Sequence, residues 1–159
     1  MGPAPFAVAQ ERISSALVEC VGTIEQTYSP GLLLIPRETT YEGVAHYTTC
    51  PVSDGVVTSG IYREVLTYTA SCSANGGPSQ GDITWSNGQR SHLVTTGVEV
   101  DVVGNLQVFT SVAQVFSGRY VGHLANIVTI LPNITDLAAC LAPPGLTANQ
   151  GTATLTILP

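Results

Sequence analysis

Between Val98 and Val102 apolar and acidic residues alternate without interruption, so that Val98, Val100 and Val102 fall on one face of an extended chain and Glu99 and Asp101 on the other. A period of two predicts a strand with one face in a core and one in water. Comparable segments recur along the chain, and strands are predicted over 17–27, 37–49, 58–71, 82–86, 89–103, 106–116, 120–131 and 152–158. Turn signals separate many of these runs: Ser29-Pro30-Gly31, Ser53-Asp54-Gly55, Asn75-Gly76-Gly77-Pro78, Asn87-Gly88, Gly104-Asn105 and Ser117-Gly118. Asn87-Gly88 carries the sharpest local expectation, a two-residue type I′ hairpin, because both residues tolerate positive φ. One short helix is predicted near the C-terminus, over 136–141. Asn133 or Thr135 caps it, Asp136 lies at the positive end of its dipole, and Pro143-Pro144 stops it.

Composition supports strand over helix: nineteen threonines, eighteen valines and nine isoleucines place branching at Cβ, which crowds a helix and suits a pleated surface. The expected fold is therefore all-β, an antiparallel β-sandwich or barrel with one short helix near the C-terminus. A single domain is expected over 16–159. The first fifteen residues, with Pro3 and Pro5 and little apolar periodicity, read as a flexible arm. The start has neither a basic n-region nor a long apolar stretch, and Met1-Gly2-Pro3-Ala4-Pro5 reads as an initiator placed on a processed protein.

Charge narrows the partners. Eleven acidic side chains face five arginines and no lysine, a net charge of -6, so the basic stripe that nucleic acid requires is missing. The same balance disfavours an anionic membrane surface, and no apolar run approaches the length that a spanning helix needs. Cys20, Cys50, Cys72 and Cys140 are widely spaced and form no C-x-x-C pair, which predicts two disulfides and an oxidising, extracellular setting. Three pairings are possible. A hairpin turning near Leu34 would set Cys20 and Cys50 at equal distances from the turn, facing each other, and would leave Cys72 to Cys140.

Catalytic signatures are weak. Gly77-Pro78-Ser79-Gln80-Gly81 matches the form of a nucleophile elbow, but the following segment reads as strand where that motif requires a helix, so Ser79 is read as a solvated turn serine. His46, His92 and His123 are isolated on different predicted strands, with none of the spacings that gather a metal or a general base. Glu99 and Asp101 share one wet face without aromatic neighbours that would stack on a sugar. No cofactor is expected.

Two surfaces are candidates for partner binding. Ideal pairing across Asn87-Gly88 sets Trp85 opposite Arg90 and Ile83 opposite His92. That arrangement yields either an exposed Trp85, Arg90 and His92 contact patch, with a cation–π pair, or a core tryptophan with Arg90 lying past it. The arm, with Phe6 and Val8 among small residues, has the character of a segment that adds to a partner's sheet or plugs its groove. Asn133-Ile134-Thr135 fits the glycosylation acceptor pattern, which a bacterial source would leave unmodified.

The runs Cys20-Val21-Gly22-Thr23, Thr27-Tyr28-Ser29-Pro30-Gly31-Leu32, Ser71-Cys72, Gly81-Asp82-Ile83-Thr84-Trp85-Ser86-Asn87-Gly88 and Leu131-Pro132-Asn133, with 137–141, resemble a family of small secreted β-sandwich proteins of actinobacteria. The absence of lysine suits a high-GC genome of that kind. In overall character the chain is also similar to the small adaptor subunit of umbrella-shaped toxin particles, which joins a lectin-bearing subunit to a long-stalked one. That resemblance implies an arm around Phe6 inserting into a partner's cleft. The expected function is thus a secreted, non-catalytic protein-binding or adaptor module whose partner is another secreted protein, or a glycan. The alternatives are a carbohydrate-binding module presenting Trp85 beside Tyr62 or Tyr68, a protease inhibitor with a stiff loop near Pro78, and, from a different class, a small hydrolase.

Overall fold

The computed structural model describes residues 16–74, 78–132 and 138–159. The arm, with Phe6 and Val8, lies outside them, as do the glycosylation acceptor pattern and the start of the predicted helix. Eight strands follow in chain order: β1 Val18–Leu32, β2 Arg37–Val52, β3 Gly60–Ala70, β4 Gln80–Trp85, β5 Arg90–Val103, β6 Leu106–Gly118, β7 Leu124–Pro132 and β8 Leu146–Ile157. Each pairs antiparallel with its neighbours in sequence, and β8 returns to pair with β1, closing an up-and-down barrel. Of the two architectures expected, the chain takes the barrel, which removes the free edges that a sandwich would have to cover. The only helical turn among the described residues is 3-10, Ala138–Leu141, in the β7–β8 connection.

The period-two alternation translates into inside and outside. Val18, Cys20, Ile24, Gln26 and Tyr28 of β1 are buried while Val21, Thr23, Glu25 and Thr27 are exposed, and β2 repeats the pattern with Tyr41, Gly43, Ala45 and Tyr47 inside. One end of the barrel is filled with large apolar side chains, among them Val18, Val57, Ile83, Trp85, Leu93, Val115, Leu155 and Ile157. The other end carries a smaller cluster of Tyr28, Leu32, Tyr41, Ala70 and Leu146 around a buried disulfide.

That disulfide, Cys72–Cys140, ties the β3–β4 connection to the 3-10 turn, while Cys20–Cys50 joins β1 to β2. This is the pairing that a hairpin centred near Leu34 would produce. The reversal occupies residues 33–36, and β1 runs straight through the Ser29-Pro30-Gly31 signal. A second signal, Ser117-Gly118, is likewise absorbed into a strand, since β6 extends to Gly118.

The Asn87-Gly88 hairpin is not the expected two-residue turn. Trp85 N–H donates to Gln89 O at 2.8 Å, enclosing a three-residue loop in which Gly88 alone takes positive φ, at 86°. Asn87 instead uses its side chain, whose Oδ1 accepts from Gln89 N–H at 3.1 Å. The register moves by one residue, to Ile83↔Ser91 and Thr84↔Arg90, and a one-residue slip reverses which side chains share a face. Trp85 and Ile83 therefore point into the barrel, and Arg90 and His92 point outward.

Trp85 is 2% exposed, donates Nε1–H to Ser91 Oγ at 2.8 Å and meets the Tyr120 ring edge-on at 5.5 Å. The cation–π contact at this end is made by Arg119 over Tyr120, not by Arg90 over Trp85. Arg119 also pairs with Asp54, whose Oδ2 accepts from Tyr120 OH at 2.8 Å while Oδ1 accepts from Val56 N–H at 3.0 Å. Partial burial raises the Asp54 pKa, but the Arg119 hydrogen bond and the backbone donors outweigh it and hold the carboxyl well below the usual carboxylate range. A carboxyl depressed on folding stabilises the fold above its unfolded value of about 4 and ceases to do so as pH falls through the folded value. Asp54→Asn is accordingly expected to cost about 1–2 kcal/mol near pH 7. The gap from wild type should be constant from pH 7 to about 5 and close as pH is lowered below about 4. Urea melts over that range check it, and a gap that is independent of pH would remove the ionic contribution.

Candidate functional site

The strands of the barrel are not equally long, and this shapes its interior. β4 has six residues and pairs with β3 only over Gly60–Glu64 and with β5 only over residues 90–94. Beyond those points, β3 above Glu64 keeps β2 as its strand neighbour and β5 above Thr95 keeps β6. A bulge at Thr95–Gly97 resets the phase of β5, after which Val98, Val100 and Val102 stand opposite Ser111, Phe109 and Gln107. These valines do share the inner face, as their alternation predicts, but with no wall across from them Val100 is 45% and Val102 58% exposed. The expectation of a buried valine face holds for direction and fails for burial.

Below this opening lies a cavity of about 80 Å³. Its walls come from the inner faces of β1, β2 and β3, with Gln26, Tyr28, Tyr41, Tyr47, Tyr62, Glu64 and Tyr68, and from the opposite side, with Ser79, Thr95, Val98, Phe109, Ser111, Ile127 and Thr129. Five of the six tyrosines of the chain line it. At about 10–15 Å³ for each water-sized occupant, the space accommodates roughly five to eight atoms of that size.

Glu64 is the only charged side chain in the lining. It projects inward because it keeps the phase of Tyr62, Leu66 and Tyr68, while Arg63, Val65 and Thr67 point out. Its cross-strand neighbours on either side are both glycines, Gly43 and Gly81. Side chains there would occupy the space now filled by two rings. A Cβ on Gly43 would lie 2.2 Å from the Tyr41 hydroxyl, and one on Gly81 would lie 2.7 Å from the Tyr62 ring. The paired glycines thus let both tyrosines lean toward the carboxylate.

Hydrogen bonds hold Glu64 from one side. Tyr62 OH donates to Oε2 at 2.9 Å and Ser79 Oγ donates to the same oxygen at 2.7 Å, with Thr95 Oγ1 3.3 Å from Ser79. Ser79, expected in a solvated turn, is a half-buried part of this cup. A carboxylate offers about four acceptor positions, and these bonds engage one of its oxygens. On the β1–β2 side, Tyr28 OH donates to Gln26 Oε1 at 2.9 Å and Gln26 Nε2 donates to Tyr41 OH at 2.9 Å. The rings of Tyr28 and Tyr41 are 5.6 Å apart and those of Tyr41 and Tyr68 6.5 Å, the latter edge to face.

Burial, and after it the negative charge of Glu64, raises the hydroxyl pKa of Tyr41, Tyr47 and Tyr62, and lifts that of Tyr68 to about 12. The tyrosines are neutral donors at any physiological pH, and the carboxylate is the charge of the cup. Two of its features lack a complement. Among the described residues Glu64 has no ion pair, and the Tyr47 hydroxyl, on a residue 1% exposed, has no hydrogen-bond partner.

Comparison with protein-family models, curated proteins and solved structures finds no match to this chain. The residues themselves must therefore indicate what the cup does. Ser79 and Glu64 touch, but a carboxylate bonded directly to a serine is too weak a base to generate an alkoxide, and no imidazole stands between them. His92 bonds Asp82 through Nδ1 at 2.9 Å on the outer surface, and His123 Nδ1 lies 2.8 Å from Leu158 O near the opposite end. The described residues gather no group of three or more metal-ligating side chains. The geometry is that of a small polar cavity with one carboxylate in its wall.

The residues singled out in the sequence are thus dispersed. Trp85 is core, and Arg90 and His92 lie on the outer surface. Glu99 and Asp101 are exposed on the upper part of β5. Sequence pattern does not single out the cup residues Glu64, Tyr47 and Gln26, although it carries one signal. Glu64 is an acidic residue on the aromatic phase of Tyr62, Leu66 and Tyr68, where alternation calls for an apolar side chain.

Proposed function

We propose that this chain is a secreted, non-catalytic binding protein whose ligand is a small molecule seated in the barrel around Glu64. The observation that carries the reading is the Glu64 carboxylate, without an ion pair among the described residues, turned into a cavity lined by five tyrosines. A charge held partly away from water gains from an opposite charge or a hydrogen-bond donor on a bound ligand. Eight-stranded barrels have interiors wide enough for one small ligand. The two disulfides favour an extracellular setting, and no helix among the described residues is long and apolar enough to cross a membrane.

The reading is tested by titrating a library of small polar fragments into the ¹⁵N-labelled protein. Amide shifts are expected to cluster at Tyr47, Glu64, Ser79 and Thr95, and to vanish when Ser111→Phe fills the cavity. Shifts confined to the β5–β6 tip would overturn it.

That second outcome corresponds to the adaptor reading, which one observation favours. Val100, Val102, Val103 and Leu106 are all exposed at the β5–β6 tip, and the inward edge of β5 above Thr95 has no strand neighbour among the described residues. An extended segment of another secreted protein could pair there.

A further inference from the structure

We infer that the group bound in the cup is a primary alkylammonium, with Glu64 as its counter-ion and hydrogen-bond acceptor; this rests on the cup being a ligand site. An anion is excluded by the sign of the charge, because the cavity has one carboxylate and no cationic side chain in its lining. The chain contains no lysine, and among the described residues no cationic side chain lies in the lining to neutralise Glu64. Bare metal ions are poorly matched, since hard cations gather six or more oxygens at short range and the cup offers a single carboxylate. A hexose, with twelve heavy atoms, exceeds a space that holds roughly five to eight atoms of water size.

What the cup offers is the complement of an ammonium group. The carboxylate supplies the charge and acceptor positions beyond those that Tyr62 and Ser79 use, and the neutral rings of Tyr41 and Tyr62 supply the electron-rich faces that attract a cation. A primary ammonium carries three N–H donors that answer those positions, whereas a quaternary ammonium carries the charge without a donor. A chain of three or four carbons fills the remaining space. Such a group occurs on a free amine and at the end of a lysine side chain presented by a partner protein, and both have the chemistry the cup would recognise.

The test is calorimetric titration of the full chain with n-propylammonium, tetramethylammonium, 1-propanol and an N-acetylated lysine amide. Propylammonium is expected to bind with a Kd on the order of a millimolar or tighter, at least tenfold below both tetramethylammonium and the uncharged alcohol. Glu64→Gln should remove the preference over the alcohol and narrow that over tetramethylammonium, and Glu64→Asp, which keeps the charge, should retain both in part. Thermal melts of both variants identify any loss that comes from misfolding. Lysine amide binding as tightly as propylammonium would point to a partner's side chain, and weaker binding to a free amine; both support the ammonium. Propanol binding as well as propylammonium, unaffected by Glu64→Gln, would overturn the charge and leave the cup standing. Equal affinity for tetramethylammonium would overturn the role of the N–H donors. No binding by any probe, together with no fragment shifts in the cup, would remove both readings.

Discussion

Trp85→Ala is expected to lower the stability of this protein by about 3–5 kcal/mol, the range for truncating a large buried aromatic side chain. The ring fills the end of the barrel beneath Tyr120, and its removal leaves a cavity between strands whose closure prevents them from collapsing inward. It also deprives Ser91 Oγ of the Trp85 donor at 2.8 Å, although Ser91 keeps its own bond to Arg119 O. For a chain of this length about 2–4 °C of Tm accompanies each kcal/mol, so a fall of roughly 6–20 °C is expected. Trp85→Phe, which keeps most of the apolar volume, should lose less than half as much. Urea melts followed by far-UV circular dichroism measure both. A cost below 1 kcal/mol for the alanine variant would place the indole outside the core and restore the surface reading of the hairpin.

The second large effect concerns the disulfides. Cys72–Cys140 encloses a sequence separation of 68 residues, against 30 for Cys20–Cys50. On the chain-entropy relation the longer loop stabilises by about 4 kcal/mol and the shorter by about 3.5 kcal/mol, a difference too small to rank them alone. Their surroundings separate them further. Cys20 and Cys50 lie on strands that are hydrogen-bonded to each other along most of their length, so β1 and β2 remain neighbours without the crosslink. Cys72 and Cys140 join two connections and form the centre of the cluster that contains Tyr28, Tyr41 and Leu146. Replacing both by alanine is expected to cost about 4 kcal/mol, more than the Cys20/Cys50 double variant, and to broaden the NMR signals of Tyr28 and Tyr41 beside the cup. Equal losses with unchanged tyrosine signals would confine the crosslink to an effect on the unfolded chain.

Together these variants separate the closed end from the receptive one. Val18, Tyr47, Ile83, Leu93, Leu155 and Ile157 belong to the apolar cluster that fills the closed end. Strands β1, β2, β3 and β7 carry Gln26, Tyr41, Glu64 and Thr129 at their inward phase around the cavity. One barrel thus uses a single alternation for two purposes, apolar packing below and a polar cup above. The cost of holding a carboxylate away from bulk water is offset in part by Tyr62 and Ser79, and a bound cation would offset the rest.

By itself the sequence determined the predominance of strand, the shared face of Val98, Val100 and Val102, and a cysteine arrangement for which the observed pairing was the natural geometry. Side-chain direction in an extended chain is set by the backbone of that segment, so Tyr62, Glu64 and Tyr68 share a face whatever surrounds them. Tertiary structure decided what depends on neighbours. Closure of β8 on β1 selected barrel over sandwich, because nothing in either strand alone specifies its far partner. The side-chain bond of Asn87 and the positive φ of Gly88 moved the hairpin by one residue and turned Trp85 inward, since turn type, not strand pattern, sets register. The short reach of β4 left Val100 and Val102 uncovered at their predicted inner phase. And Glu64 came to line a cavity only when Gly43 of β2 and Ser79 and Gly81 at β4 met it from either side of β3, because a cavity is a property of distances between segments that no local pattern records.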